Sequence, residues 1–171
     1  MKVTDKYVYF WGEFPSNWYP CHFTIPSEGS EKKVFFNSEQ YFMYIKAITF
    51  GDTEIAEEIL LKGKNPKTAK ALGRKVKNYD DKVWNEKRYQ VMVDANMLKY
   101  SQNENLKEML LNKEFDGKKF CEASPKDRIW GVGLSENDPL IDDEKNWLGT
   151  NLLGKALDEV RERLLEEKLK A

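Results

Sequence analysis

Two stretches of this chain bring together residues able to do chemistry. The first is Phe35-Phe36-Asn37-Ser38-Glu39-Gln40-Tyr41-Phe42, running on to Lys46. It reads as a short apolar strand that hands over to a helix at Asn37. The Asn37 side chain can cap the first free N–H groups, and Gln40, three residues on, can close a capping box. Glu39 then falls in the first turn, where the positive end of the helix favours an ionised carboxylate. An acid at that place ordinarily does no more than stabilise its helix, so chemistry requires partners from elsewhere. The second stretch is Glu122-Ala123-Ser124-Pro125-Lys126-Asp127-Arg128-Ile129-Trp130-Gly131-Val132-Gly133, which gathers two carboxylates, two cations and an indole in one loop. Pro125 restricts that loop, while Gly131 and Gly133 would let its backbone approach a ligand closely.

Three weaker signals accompany these. Residues 147–155 form a Gly-containing turn at a helix start, whose free N–H groups suit a phosphate or ribose oxygen. Leu72-Gly73-Arg74-Lys75 is a small basic cluster able to hold a phosphate, although a solvated helix face is the ordinary meaning of such a run. Several aromatics sit beside turn formers, in Trp11-Gly12, Asn17-Trp18-Tyr19-Pro20 and Ile129-Trp130-Gly131. Rings on loops serve more often as walls for flat ligands than rings on helix faces do.

The elements that must position these residues follow from periodicity. Residues 6–11 and 34–36 read as strands, 22–25 as a further one, 14–20 as an ordered loop and 27–33 as a polar turn. The Glu39 helix shows Tyr41, Tyr44, Ile45 and Ile48 at helical spacing. Gly51-Asp52 separates it from a helix over 53–62 with Ile55, Ile59 and Leu60 on one side and Gly63 as its stop. Asn65-Pro66 opens a third helix with Ala69, Leu72 and Val76 inward. Asp80-Asp81 start the longest helix, to about residue 100, and 104–111 form a shorter one. A strand over 118–123, an acidic loop over 136–144 and an amphipathic helix over 151–168 complete the chain. The expectation is one α+β domain over 1–171, dominated by helices.

Composition narrows the function classes. With 171 residues the chain can bury a core without staples, and a net charge of −1 gives no bulk basicity for gripping nucleic acid. Two separated cysteines and one histidine are too few for the usual zinc site and fit ordinary reduced thiols, so neither metal nor catalytic Cys is expected. The first residues carry no signal-peptide pattern and no apolar run reaches membrane-spanning length, which points to a cytoplasmic enzyme or binding module with no membrane partner.

Taken together, the motifs resemble the YbiA-like, or NADAR, family of N-glycosidases. Ser38-Glu39-Gln40-Tyr41-Phe42 is similar to its SEHYF signature, residues 14–23 to its FSNFYPSPF segment, and Leu72-Gly73-Arg74 to its xGR helix. The helix from Trp84 to Ala95 resembles its W…vR…VM..A pattern. The loop from Glu122 to Gly133 follows E.SP.DrfWGiG, and Asn151-Leu152-Leu153-Gly154-Lys155 follows GxNxLGkxL. The blocks occur in family order over nearly the whole chain. An extra Pro15 and a longer, more acidic run over 135–147 depart from the pattern, and bear on substrate more than on chemistry.

The resemblance implies hydrolysis of a C–N glycosidic bond without cofactor. The substrate would be either a phosphoribosylamino-pyrimidine of riboflavin synthesis, a small nucleotide-like molecule, or ADP-ribosylated guanine in nucleic acid. It implies Glu39 as the carboxylate beside C1′, Asp127 as second choice, and Lys46 as a residue that contacts substrate or tunes the acid. Trp84 and Trp130 would stack on the heterocycle and Arg74 would hold phosphate. Asn17, Trp18, Tyr41, Gly131 and Asn151 complete the substrate-binding set. These residues are expected to converge on one pocket. The alternative from another class is a non-catalytic module binding ADP-ribose or a nucleotide.

Overall fold

The computed structural model describes residues 1–27, 29 and 31–171. In order, the chain forms β1 (Lys2–Val3), β2 (Tyr7–Phe10), β3 (Phe23–Pro26), β4 (Lys32–Phe35), α1 (Ser38–Thr49), α2 (Thr53–Lys62), α3 (Pro66–Gly73), α4 (Asp81–Ser101), α5 (Glu104–Leu110), β5 (Lys119–Glu122) and α6 (Leu152–Lys170). The fold is α+β and helix-dominated, as expected. The backbone groups into two compact units, Asn17–Glu104 and Met1–Ser16 with Asn105–Ala171. None of the helices among the described residues is long and apolar enough to cross a membrane.

The unit Asn17–Glu104 is built around α1. Asn37 caps it as the sequence predicts: its Oδ1 accepts the Gln40 N–H at 2.7 Å, while Gln40 Oε1 accepts the Phe36 N–H at 2.8 Å. The same two side chains also hold the next helix. Asn37 Nδ2 donates to the carbonyls of Gly63 and Lys64, each at 3.1 Å, and Gln40 Nε2 donates to Ile59 O at 3.0 Å. The Gly63 and Lys64 carbonyls lie past the last turn of α2 and gain a donor this way, while Ile59 O, which already accepts the Gly63 N–H at 2.8 Å, takes a second one. The antiparallel β3–β4 hairpin stacks Phe23 on Phe35, and Tyr41 packs edge-on against both rings. Gln102, capping α4, exchanges two 2.9 Å bonds with the Thr24 backbone and so pairs with β3 as a further strand residue would.

The inward face of α1 differs from the periodic reading. Tyr41, Phe42, Tyr44 and Ala47 are buried, Ile45 is half-buried, and Ile48 is exposed. Phe42 takes the inward place because α4 brings Trp84 against it, ring centroids 5.1 Å apart. On α2 the buried pair is Ala56 and Ile59, with Ile55 and Leu60 at the margin. The polar turn predicted over 27–33 includes Glu28 and Ser30, which lie outside the described residues.

In the other unit β1 pairs antiparallel with β2, and β2 pairs parallel with β5. Among the described residues the outer edge of β5 carries no further strand. Side chains at and on α6 blunt it instead: Asn151 Nδ2 donates to Phe120 O at 3.0 Å, Asn151 Oδ1 accepts the Glu122 N–H at 3.2 Å, and Asp158 Oδ1 accepts the Phe120 N–H at 3.0 Å. The acidic run over 135–147 is anchored on β2. Ile141 is fully buried, Tyr9 donates its hydroxyl to Asp142 at 2.8 Å, and Trp147 Nε1 donates to Ile141 O at 2.7 Å while its ring packs on Tyr7. The two-residue strand β1 escapes sequence reading because it is too short to show alternation.

Candidate active site

Glu39 lies in the first turn of α1 and is only 8% exposed. Its N–H donates to Asn17 O at 3.1 Å, which ties the segment starting at Asn17 to the helix start. The carboxylate is therefore held inside the protein at the end of the helix where a negative charge is favoured. Two buried polar atoms beside it, Asn17 Oδ1 and Ser38 Oγ, have no hydrogen-bond partner among the described residues. Buried polar atoms are rarely left so, and both flank the one buried acid of this helix. Trp18, next to Asn17, is largely exposed.

Lys46 follows Glu39 by two turns, about 10 Å along the same helix face. It is half-buried, and loss of hydration pulls its ammonium below the ordinary lysine range. Glu39 opposes that shift, whereas Arg74 adds to it by repulsion. Lys46 therefore feels both charges. Arg74 owes its place to Gly73, since a Cβ there would run into the side chain of Met43 on α1. Glycine lets the end of α3 come this close without displacing Met43, and the following residue, Arg74, is exposed to solvent. The third neighbour of Lys46 is Tyr79, whose ring centroid lies 4.7 Å from Nζ.

Other residues of this unit take more structural places. Trp84 is 5% exposed, its indole enclosed by Phe42 and Phe50, so the open stacking face expected of it is closed by the protein's own rings. The open aromatic at this point is Tyr79, 42% exposed and edge-on to Phe50. Sequence reading passed over Tyr79; its signal is an aromatic standing between Asn78 and the Asp80 cap, where no helix face claims it. The ring of Tyr41 belongs to the hairpin core, and burial raises its phenol to a pKa of about 12.

In the other unit the loop from Glu122 to Gly133 folds on itself. Asp127 Oδ1 accepts the N–H groups of Ile129 and Trp130 at 3.0 and 2.8 Å, and its own N–H donates to Ser124 Oγ at 3.2 Å. Asp127 therefore builds the turn that carries the half-buried Trp130. Gly131 does not turn its bare face to open space: a Cβ there would crowd the carbonyls of Asp127 and Glu122, each 3.0 Å away. The expected anion site at the start of α6 is also filled. The N–H groups of Asn151, Leu152 and Leu153 donate to the carbonyls of Gly131, Ile129 and Trp130 at 3.0, 3.1 and 3.1 Å. Asn151 itself sits at φ 51° with its amide committed to β5. Nearness to a helix start was legible in the sequence; that this loop supplies the acceptors was not.

A helix-dominated α+β fold, with a buried acid opening its central helix and a lysine that feels both that acid and an arginine, defines the class. The chain belongs to the NADAR domain family, which it matches over residues 9–165, and is a YbiA-like member of it. It is 45% identical over 160 residues to protein irg-1 of Caenorhabditis elegans, an alignment covering 87% of this chain and 74% of that protein. It is 38% identical over 167 residues to N-glycosidase R617 of Acanthamoeba polyphaga mimivirus, covering 93% of this chain and 96% of that one. The NMR structure of the E. coli protein YbiA superimposes with a TM-score of 0.76 at 28% identity, covering 99% of this chain and 91% of that chain.

Proposed function

We propose that this protein is an N-glycosidase that hydrolyses the bond between a ribosyl C1′ and a heterocycle nitrogen in a phosphate-bearing substrate. The observation that carries the reading is the cluster of buried Glu39 with Lys46 and Arg74. The mimivirus relative named N-glycosidase, similar over nearly its whole length, supports it.

In the proposed reaction the C1′–N bond breaks, water supplies the oxygen of the new C1′–O bond, and a proton reaches the departing nitrogen. Positive charge grows on C1′ and the ring oxygen as the base leaves, so a fixed carboxylate next to C1′ stabilises the transition state more than the substrate. Glu39 has that role and also orients the attacking water. Its place in a protein-lined site strengthens the interaction relative to water. Lys46, opposite in charge to Glu39, tunes the acid or contacts the substrate, and Arg74 takes the substrate phosphate. Asp127 is the second candidate acid. The substrate is a phosphoribosylamino-pyrimidine or an ADP-ribosylated guanine, both of which carry the three recognised parts.

Glu39→Gln tests the assignment. The change is nearly isosteric, so fold and substrate affinity are expected to hold while kcat falls about a hundredfold or more, roughly 3 kcal/mol of transition-state stabilisation. Normal turnover by this variant would reduce Glu39 to a helix-start acid and transfer the role to Asp127.

A further inference from the structure

We propose that Tyr79 is a positioning residue for Lys46, its ring face holding the lysine ammonium in place and in its charged form. The geometry is that of a cation on an aromatic face: Nζ lies 4.7 Å from the ring centroid, inside the range over which the ring quadrupole attracts a cation. The ring is held from two further directions. Phe50 meets it edge-on at 5.3 Å, and its hydroxyl donates to Asp81 Oδ1 at 2.8 Å.

The backbone that delivers the ring is fixed as well. Asp52 Oδ1 accepts the Ile55 N–H at 3.1 Å to cap α2, and Asp52 Oδ2 accepts the Lys77 N–H at 2.9 Å. One carboxylate thus pins the segment after α3 to the start of α2. Asn78 then turns through a left-handed conformation, φ 60°, which asparagine tolerates better than most residues. The turn sends Tyr79 back over Lys46. An aromatic ring left 42% exposed is not a core residue and leaves much of its possible burial unrealised, so a fixed, partly solvent-facing ring under an ammonium calls for another explanation.

Lys46 has need of such a partner. Burial and Arg74 both disfavour its charge, and from its own helix Glu39 opposes them. Around the Tyr79 hydroxyl stand Asp80, Asp81 and Arg88, and burial, with the bond to Asp81, raises the phenol above its ordinary range. The ring therefore acts through its face and not through a phenolate.

The proposal rests on the glycosidase reading only for its effect on turnover, and its test needs no substrate. Trace acetylation of the full chain by acetic anhydride across a pH series, read at Lys46 by mass spectrometry, gives the titration midpoint of that amine. For Tyr79→Leu the midpoint is expected to fall by about half a pH unit. Tyr79→Phe keeps the face and is expected to keep the native midpoint. Loss of folding would raise the midpoint toward the ordinary lysine value, so it cannot mimic the fall expected of Tyr79→Leu; Tyr79→Trp, with the stronger face, is expected to hold or raise the midpoint. A native midpoint in Tyr79→Leu overturns the proposal, and so does a Tyr79→Phe midpoint that falls as far as that of the Leu variant. If the chain also turns over substrate, the alkaline limb of the kcat–pH profile moves down with the Lys46 midpoint in Tyr79→Leu.

Discussion

Replacing Asn37 by Ala should destabilise this protein well beyond the loss of an ordinary helix cap. Three bonds are removed at once: the cap to Gln40 N at 2.7 Å and the two donations to Gly63 O and Lys64 O at 3.1 Å. The cap alone is worth about 1 kcal/mol. The Gly63 carbonyl is left buried without its donor, at a further cost of about 1 to 2 kcal/mol, and the more accessible Lys64 carbonyl recovers water and adds little. The sum is about 2–3 kcal/mol, roughly 4–12 °C in Tm for a chain of this size. Urea unfolding followed by far-UV circular dichroism measures it, with Asn37→Asp as the dissecting variant. Asp keeps the acceptor for Gln40 N but turns a carboxylate on two carbonyl oxygens, so it should be no better than Ala. An Ala loss below about 1 kcal/mol, or an Asp variant of native stability, would refute the view that Asn37 joins α1 to α2.

Trp84→Ala should cost about 3–5 kcal/mol of stability in the same assay, because Phe42 and Phe50 lose the ring between them; a loss under 1 kcal/mol would return Trp84 to the role of an open stacking surface. Asp158 is raised by burial to a pKa of about 6, against the opposing pull of the Phe120 N–H and Arg161. The native state then binds this proton more tightly than the unfolded chain does, so the stabilisation is complete below about pH 4 and is lost as pH rises through 6. Relative to Asp158→Asn, native Tm should fall by several degrees between pH 4 and 7, about 2 kcal/mol, and a constant difference would contradict the burial effect.

Much of the fold could be read from the chain because its local signals agree. Asn37, Asn65-Pro66 and Asp80 each cap a helix where periodicity begins, and the side chains bond as those types should. Long-range pairing is another matter. The parallel register of β2 on β5 joins residues more than a hundred apart, and the edge cover by Asn151 and Asp158 depends on where α6 packs. Lys99 illustrates the same limit: a residue type that is ordinarily solvated is here fully buried near the end of α4, with Nζ 5.0 Å from the Tyr100 ring centroid. At the candidate site, Glu39, Lys46 and Arg74 were nameable from motif and spacing. Tyr79 was not, because its role comes from the Asp52 tether and the turn at Asn78, neither of which leaves a periodic trace.

The central claim is C–N bond hydrolysis, and one isotope experiment addresses it. The protein is incubated with a phosphoribosylamino-pyrimidine and, separately, with ADP-ribosylated guanine, each in water enriched in oxygen-18, and the products are read by mass spectrometry. The account predicts that at least one substrate releases its base unlabelled and leaves a ribosyl product carrying a single heavy oxygen, with the yield collapsing in Glu39→Gln. Binding of either substrate with neither base released would contradict it, and would make the protein a nucleotide-binding module built on a glycosidase fold.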